Sequence, residues 1–237
     1  VHYHLEAVIT SPRGYTWVAE NGENARSIRA TVALDIACQA TPAGKRWDVA
    51  CSLDNVVLKG AAVQGEEQRL RTLLDLNEAH LKDKTVQFRM GTEGGIRRFD
   101  LRGMDTRNSR LGSVFDGLKS VLRRAFTPLD LWLPKGGQDN GKKWSQKGSP
   151  LVFELMTGQG TAGGVALKHV VERRDQGKAR IVSDGRASLA MGVDLEAGTS
   201  ALVRMYANGR TQFDTTVGLL DWSEVITTSA HGTSSLD

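Results

Sequence analysis

The feature that most constrains this chain is a strict two-residue alternation that returns along much of its length. Ile28, Ala30, Val32, Leu34, Ile36 and Cys38 alternate with Arg29, Thr31, Ala33, Asp35, Ala37 and Gln39. After Thr41-Pro42-Ala43-Gly44-Lys45, the residues Trp47, Val49, Cys51 and Leu53 resume the same pattern. A period of two places successive side chains on opposite faces of a strand, so this stretch is expected to form a hairpin with one apolar face. Cys38 and Cys51 fall on that face. A cross-strand disulfide and two buried thiols both fit the spacing, and the first would imply an oxidising compartment.

Tyr3, Leu5, Ala7 and Ile9 alternate near the start, and Ser11-Pro12-Arg13-Gly14 and Asn21-Gly22 read as turns. Residues 66–80 suit a short helix through Leu70, Leu73 and Leu74, or a strand through Leu74 and Leu76. Val86 to Met90, Gly94-Gly95 and Ile96 to Leu101 read as a hairpin. The principal helix is expected at about 108–126, where Leu111, Val114, Phe115, Leu118, Val121, Leu122 and Ala125 recur at three-and-four spacing. Asn108 or Ser109 can cap it, and Pro128 follows its end. Lys135 to Lys147 reads as a polar loop. Beyond Leu151 the strands return, with Ala187, Leu189, Met191, Val193 and Leu195 alternating and Asp184-Gly185 and Asn208-Gly209 read as hairpin turns. The last strand is expected at Ser223 to Thr228, before a polar tail.

Residues 89–103 and 204–218 echo each other: Arg-Met, a turn, Phe-Asp, then Gly. A duplicated β-unit with the helix between its halves would explain the echo. The expected fold is therefore mainly β, a β-rich α+β chain of curved antiparallel sheets in duplicated half-barrel form. A length of 237 residues fits a single domain, 1–237, with halves 1–104 and 131–237.

The chain's net charge of +4 is dispersed over basic pairs that lack interleaved aromatics, the pattern of a solvated surface, so no nucleic-acid partner is expected. The chain opens at Val1 without a charged-then-apolar leader. It reads as a mature or excised piece, whose signal or lipid anchor, and any membrane proximity through it, would lie outside the sequence.

Gly158-Gln159-Gly160-Thr161-Ala162-Gly163 is the sharpest enzyme-like motif. It follows the apolar run Leu151 to Met156 and precedes Val165 to Arg174, with Asp184 about twenty residues on, as in dinucleotide-binding units. The pattern needs a helix opening at Gly163, whereas Val165, Leu167, His169 and Val171 also alternate as a strand. A glycine-rich turn is the preferred reading. His2 and His4 share a face of the first strand and could form half a metal site, with no third ligand evident; His80, His169 and His231 are isolated. No catalytic residue, metal site or cofactor is assigned. The expected site is instead a groove beside the principal helix, lined by Leu111, Phe115, Leu118 and Leu122, for a hydrophobic, lipid-like ligand. The competing expectation is that these side chains fill the core.

Long strands, a helix ending near Pro128, Leu131-Trp132-Leu133-Pro134, a glycine loop reaching Trp144, and strands closing with Phe213-Asp214 and Gly218 make a recognisable order. It resembles uncharacterised bacterial envelope proteins and lipoproteins with a half-barrel sheet, and is broadly similar to the LolA-like lipoprotein-carrier architecture. The resemblance implies a non-catalytic periplasmic or cell-surface protein of bacteria, binding a lipid-like molecule or a lipidated partner. A scaffold or protein-interaction component of an envelope assembly is the other expectation. The resemblance carries over no functional residue.

Overall fold

The computed structural model describes residues 1–18, 23–103, 118–119, 121–123, 125–131, 133–134, 139–147, 162–192 and 199–235. It is mostly β, with two antiparallel five-stranded sheets that do not close into a barrel. The chain forms two compact units, Val1–Thr92 with Ile96–Phe126, and Glu93–Gly95 with Thr127–Asp237.

The first sheet is a meander of β1 (His2–Val18), β2 (Asn24–Pro42), β3 (Arg46–Ala62), β4 (Thr85–Gly91) and β5 (Gly94–Arg102), each strand beside its sequence neighbour. The alternation works as expected: Val32, Leu34, Ile36, Val49, Cys51 and Leu53 are buried. Two irregularities alter the pattern. Between Ser27 and Arg29 the register with β3 slips, leaving Ile28 without a partner. Side chains on either side of an unpaired residue fall out of phase, so Ile28 is 47% exposed while Ala25, Ser27 and Ala30 are buried. The expected place of Ile28 on the apolar face is thereby corrected. A second slip sets Leu34 opposite Asn55 and Val56, with Asn55 at φ 48°. The turn expected at Ser11–Gly14 is likewise replaced by a register shift between Thr10 and Tyr15, and β1 runs on to Val18.

The ambiguous segment after β3 is helical, α1 (Glu67–Leu81), burying Leu70, Leu73, Leu74 and Leu81 against the sheet. Gly60 on β3 permits this approach: a Cβ there would lie 3.1 Å from Leu70 Cδ2 and 3.3 Å from Leu74 Cδ1. Of the expected principal helix, residues 118, 119, 121–123, 125 and 126 are described, and all are helical. Leu118, Leu122 and Phe126 are wholly buried, and the Phe126 ring meets Phe88 and Phe99 edge-on at 6.0 and 5.4 Å.

The second sheet is also a meander: β6 (Lys143–Lys147), β7 (Ala162–Asp175), β8 (Lys178–Gly192), β9 (Thr199–Asp214) and β10 (Leu219–Ser235). Strand β6 lies in the stretch read as a loop, and β10 extends through much of the expected polar tail. Asp184-Gly185 and Asn208-Gly209 are not turns; both lie inside strands and face each other across the β8–β9 ladder. The hairpin between β7 and β8 turns instead at Gln176-Gly177, where both residues have positive φ, as a two-residue loop matched to strand twist requires. The sequence echo does not survive as equivalent structure: residues 89–102 span two strands and their turn, whereas residues 204–214 lie on β9 alone. The two units share a five-stranded meander rather than that repeat.

Candidate functional site

In the second sheet side-chain parity separates two faces. Along β7, β8, β9 and β10 the described odd-numbered residues Leu167, His169, Ile181, Ser183, Met205, Ala207, Gly209, Thr211, Ser223 and Val225 turn inward. A polar band crosses that buried face. Gln146 Oε1 accepts from His169 Nε2 at 3.2 Å, which leaves Nδ1 to accept the Ser183 hydroxyl at 2.8 Å. Trp144 stacks on the imidazole at 5.0 Å, and Thr211 and Ser223 share a hydrogen bond of 2.7 Å. Burial pushes the His169 imidazole down to about 4, so it is neutral at physiological pH. Gln146 Nε2 is buried without a partner among the described residues. A cavity of about 30 Å³ opens beside His169 and Ser183, lined also by Thr127, Pro128, Asp130 and Leu131. That volume holds about one or two waters. The Ser183–His169 pair has the atoms of a nucleophile and base and borders this cavity.

The outer face of the same sheet differs. Tyr206 on β9 and Trp222 and Ile226 on β10 are 36, 41 and 57% exposed. Cross-strand pairing places Tyr206 beside Arg186, Ile226 beside Asn208, and Trp222 beside Gln212. Lys168, Arg180, Arg186, Arg204 and Arg210 are exposed on the same face, against Glu172, Asp184 and Glu224. Exposed aromatic side chains among arginines are the composition of protein-recognition surfaces.

One end of this sheet is knitted by charge. Lys178 Nζ lies 2.7 Å from Asp214 Oδ2 and 3.3 Å from Asp221 Oδ2. Asp214 Oδ1 accepts from the Thr216 hydroxyl at 2.5 Å and from the Thr216 N–H at 2.8 Å. The Lys178 ammonium, then Thr216, hold Asp214 well below the usual carboxylate range. These contacts tie the turn between β9 and β10 to the start of β8.

The residues expected to form the lipid groove divide. Leu118 and Leu122 are filled core, while Leu111 and Phe115 lie outside the described residues. An open groove of about 1010 Å³ does run between α1 and β3, but its walls include Lys59, Glu67, Arg71 and Asp75. Cys38 and Cys51 are register partners joined by a disulfide. Of the glycine motif, residues 158–161 lie outside the described residues; Ala162 and Gly163 begin β7. Val165 to Arg174, the helix required by a dinucleotide site, is strand paired antiparallel to β8, so no helix N-terminus faces a pyrophosphate there. Among the described residues no three of His, Cys, Asp and Glu stand as a metal centre, and no helix is long and apolar enough to cross a membrane.

The sequence reading did not single out Tyr206, Trp222 and Ile226. A signal was present, since all three are apolar residues at positions whose neighbours alternate inward. It missed the inward polar band because serine, threonine and glutamine do not mark a buried face. Family models, curated proteins and solved structures alike return no match to this chain.

Proposed function

We propose that the protein is a non-catalytic, extracytoplasmic interaction component of a bacterial envelope assembly, docking a protein partner on the outer face of its second sheet. The observation that carries this reading is the exposed Tyr206, Trp222 and Ile226 set among Arg186, Arg204 and Arg210. Aromatic rings supply desolvated contact area at low entropic cost, and arginines supply planar donors, so the partner is expected to present apolar and acidic groups. The Cys38–Cys51 disulfide supports an oxidising compartment. The envelope location itself rests on the half-barrel resemblance. The lipid-carrier reading needs space beside residues 118 and 122, and both side chains there are packed away.

The test compares the wild-type chain with a Tyr206→Ser, Trp222→Ser, Ile226→Ser variant in cross-linking from intact envelope fractions. A discrete partner cross-linked to wild type and lost from the folded variant supports the proposal. Native mass spectrometry of protein purified without detergent supplies the opposing result. A lipid-mass adduct released on denaturation, with unchanged cross-linking in the variant, would return the function to lipid carriage.

A further inference from the structure

His2 and His4 share one face of β1, and the fold sets a carboxylate against one of them. On β1 they are same-face neighbours, with Cα atoms roughly 6.6 Å apart along an extended strand. Register places His2 opposite Ala37, and His4 opposite Asp35 on β2. His4 Nδ1 lies 2.6 Å from Asp35 Oδ1. The second Asp35 oxygen accepts from Asn55 Nδ2 at 2.7 Å. Asn55 reaches that position because it is in the left-handed region at the β2–β3 irregularity.

A hydrogen bond to the Asp35 carboxylate is donated from His4 Nδ1, which leaves Nε2 as the nitrogen able to coordinate. This carboxylate–imidazole arrangement is the outer support that metal-binding histidines use, fixing tautomer and ring direction while raising the basicity of the ligating nitrogen. The surroundings favour a cation. Asp35 pairs with Asp54 on β3, and Glu6 follows two residues beyond His4 on the same face. The remaining register partners in these rows, Ala33, Ala37, Ser52 and Val57, bring no positive charge, and the Val1 ammonium next to His2 is bonded to Cys38 O at 3.0 Å.

We propose that His2 and His4 are the protein ligands of an open surface site for a borderline divalent transition metal such as zinc, with Asp35 and Asn55 as positioning residues. Two imidazoles can converge on one ion at about 2 Å by side-chain rotation, leaving its other positions to water or an incoming ligand. The site is independent of the partner-docking face on the second sheet.

Zinc alone is the probe. Titration of the full chain at neutral pH, followed by imidazole nitrogen resonances, is expected to shift His2 and His4 together, with His4 coordinating through Nε2. Calorimetry is expected to show His2→Ala and His4→Ala abolishing the saturable event. Asp35→Asn, which keeps both ligands, is expected to weaken it by about tenfold or more. His2 and His4 are exposed and Asp35 is half-buried, and unchanged amide spectra elsewhere verify the fold. Failure of His2 and His4 to respond, or an equal response at His80 and His231, would overturn the site. Wild-type affinity in Asp35→Asn would overturn the positioning role.

Discussion

The two sheets share strand number and meander order, yet they are held together by different chemistry. The first has a mainly apolar inner face, with Leu34, Ile36, Cys51 and Val86 at 0–1% exposure, α1 packed on it and one disulfide across it. The second carries His169, Ser183, Thr211 and Gln146 on its buried side, with Ala207 and Gly209 between them. Apolar burial is non-directional and insensitive to pH, whereas a buried hydrogen-bonded band depends on geometry and protonation. One architecture thus combines a sheet stabilised mainly by area with one whose inner face depends on satisfied polar groups.

The largest test of that contrast is Leu34→Ala, which opens a cavity at the centre of the first sheet. It should cost about 2–5 kcal/mol in denaturant unfolding. Thr211→Val in the second sheet removes a hydroxyl at nearly constant volume and should cost only about 1–3 kcal/mol, through the stranded Ser223 partner. Equal losses would break the comparison. Replacing Cys38 and Cys51 by alanine should cost about 3 kcal/mol, from the loss of a short closed loop. Hydrogen exchange should show that loss in the first sheet and spare the second.

Acid should act the other way. The folded state holds His169 neutral, with its value depressed to about 4, so the unfolded chain binds the extra proton. The stabilisation is complete above the unfolded value near 6.5, declines as pH falls and levels off near 4, for a total of roughly 3 kcal/mol. Asp214, depressed as a carboxylate, adds loss only at lower pH, as it protonates. Unfolding monitored at pH 7, 5.5 and 4 should show the second sheet weakening first, and His169→Gln should flatten the upper part of that slope. The smallest effect is expected from Gly177→Ala. Its Cβ would meet Thr216 Cγ2 at 2.6 Å at a φ of +76°, for a loss of about 1–2 kcal/mol measured by thermal unfolding.

Legibility in the sequence followed the same divide. The Cys-bearing hairpin could be read directly because apolar residues report burial and their period reports strand. Asp184-Gly185 and Asn208-Gly209 misled because a local turn preference was outweighed by pairing along two long strands. Ile28 was misplaced because one unpaired residue inverts phase, and nothing within the strand's own sequence announces it. Tyr206 meets Arg186 across one ladder, and His4 meets Asp35 thirty-one positions away; such juxtapositions exist only once register is known.

The meander order has a consequence for how the chain is made. Each strand pairs with the one synthesised just before it, so neither sheet waits for a distant segment to arrive. Ordering can proceed hairpin by hairpin as the chain emerges, with little entropy lost to long loop closure. Cys38 and Cys51, 13 residues apart, meet once a single hairpin is out. The first sheet is thus available as a covalently latched unit before β6 exists, limiting the time that the inward residues of the 17-residue strand β1 stay uncovered.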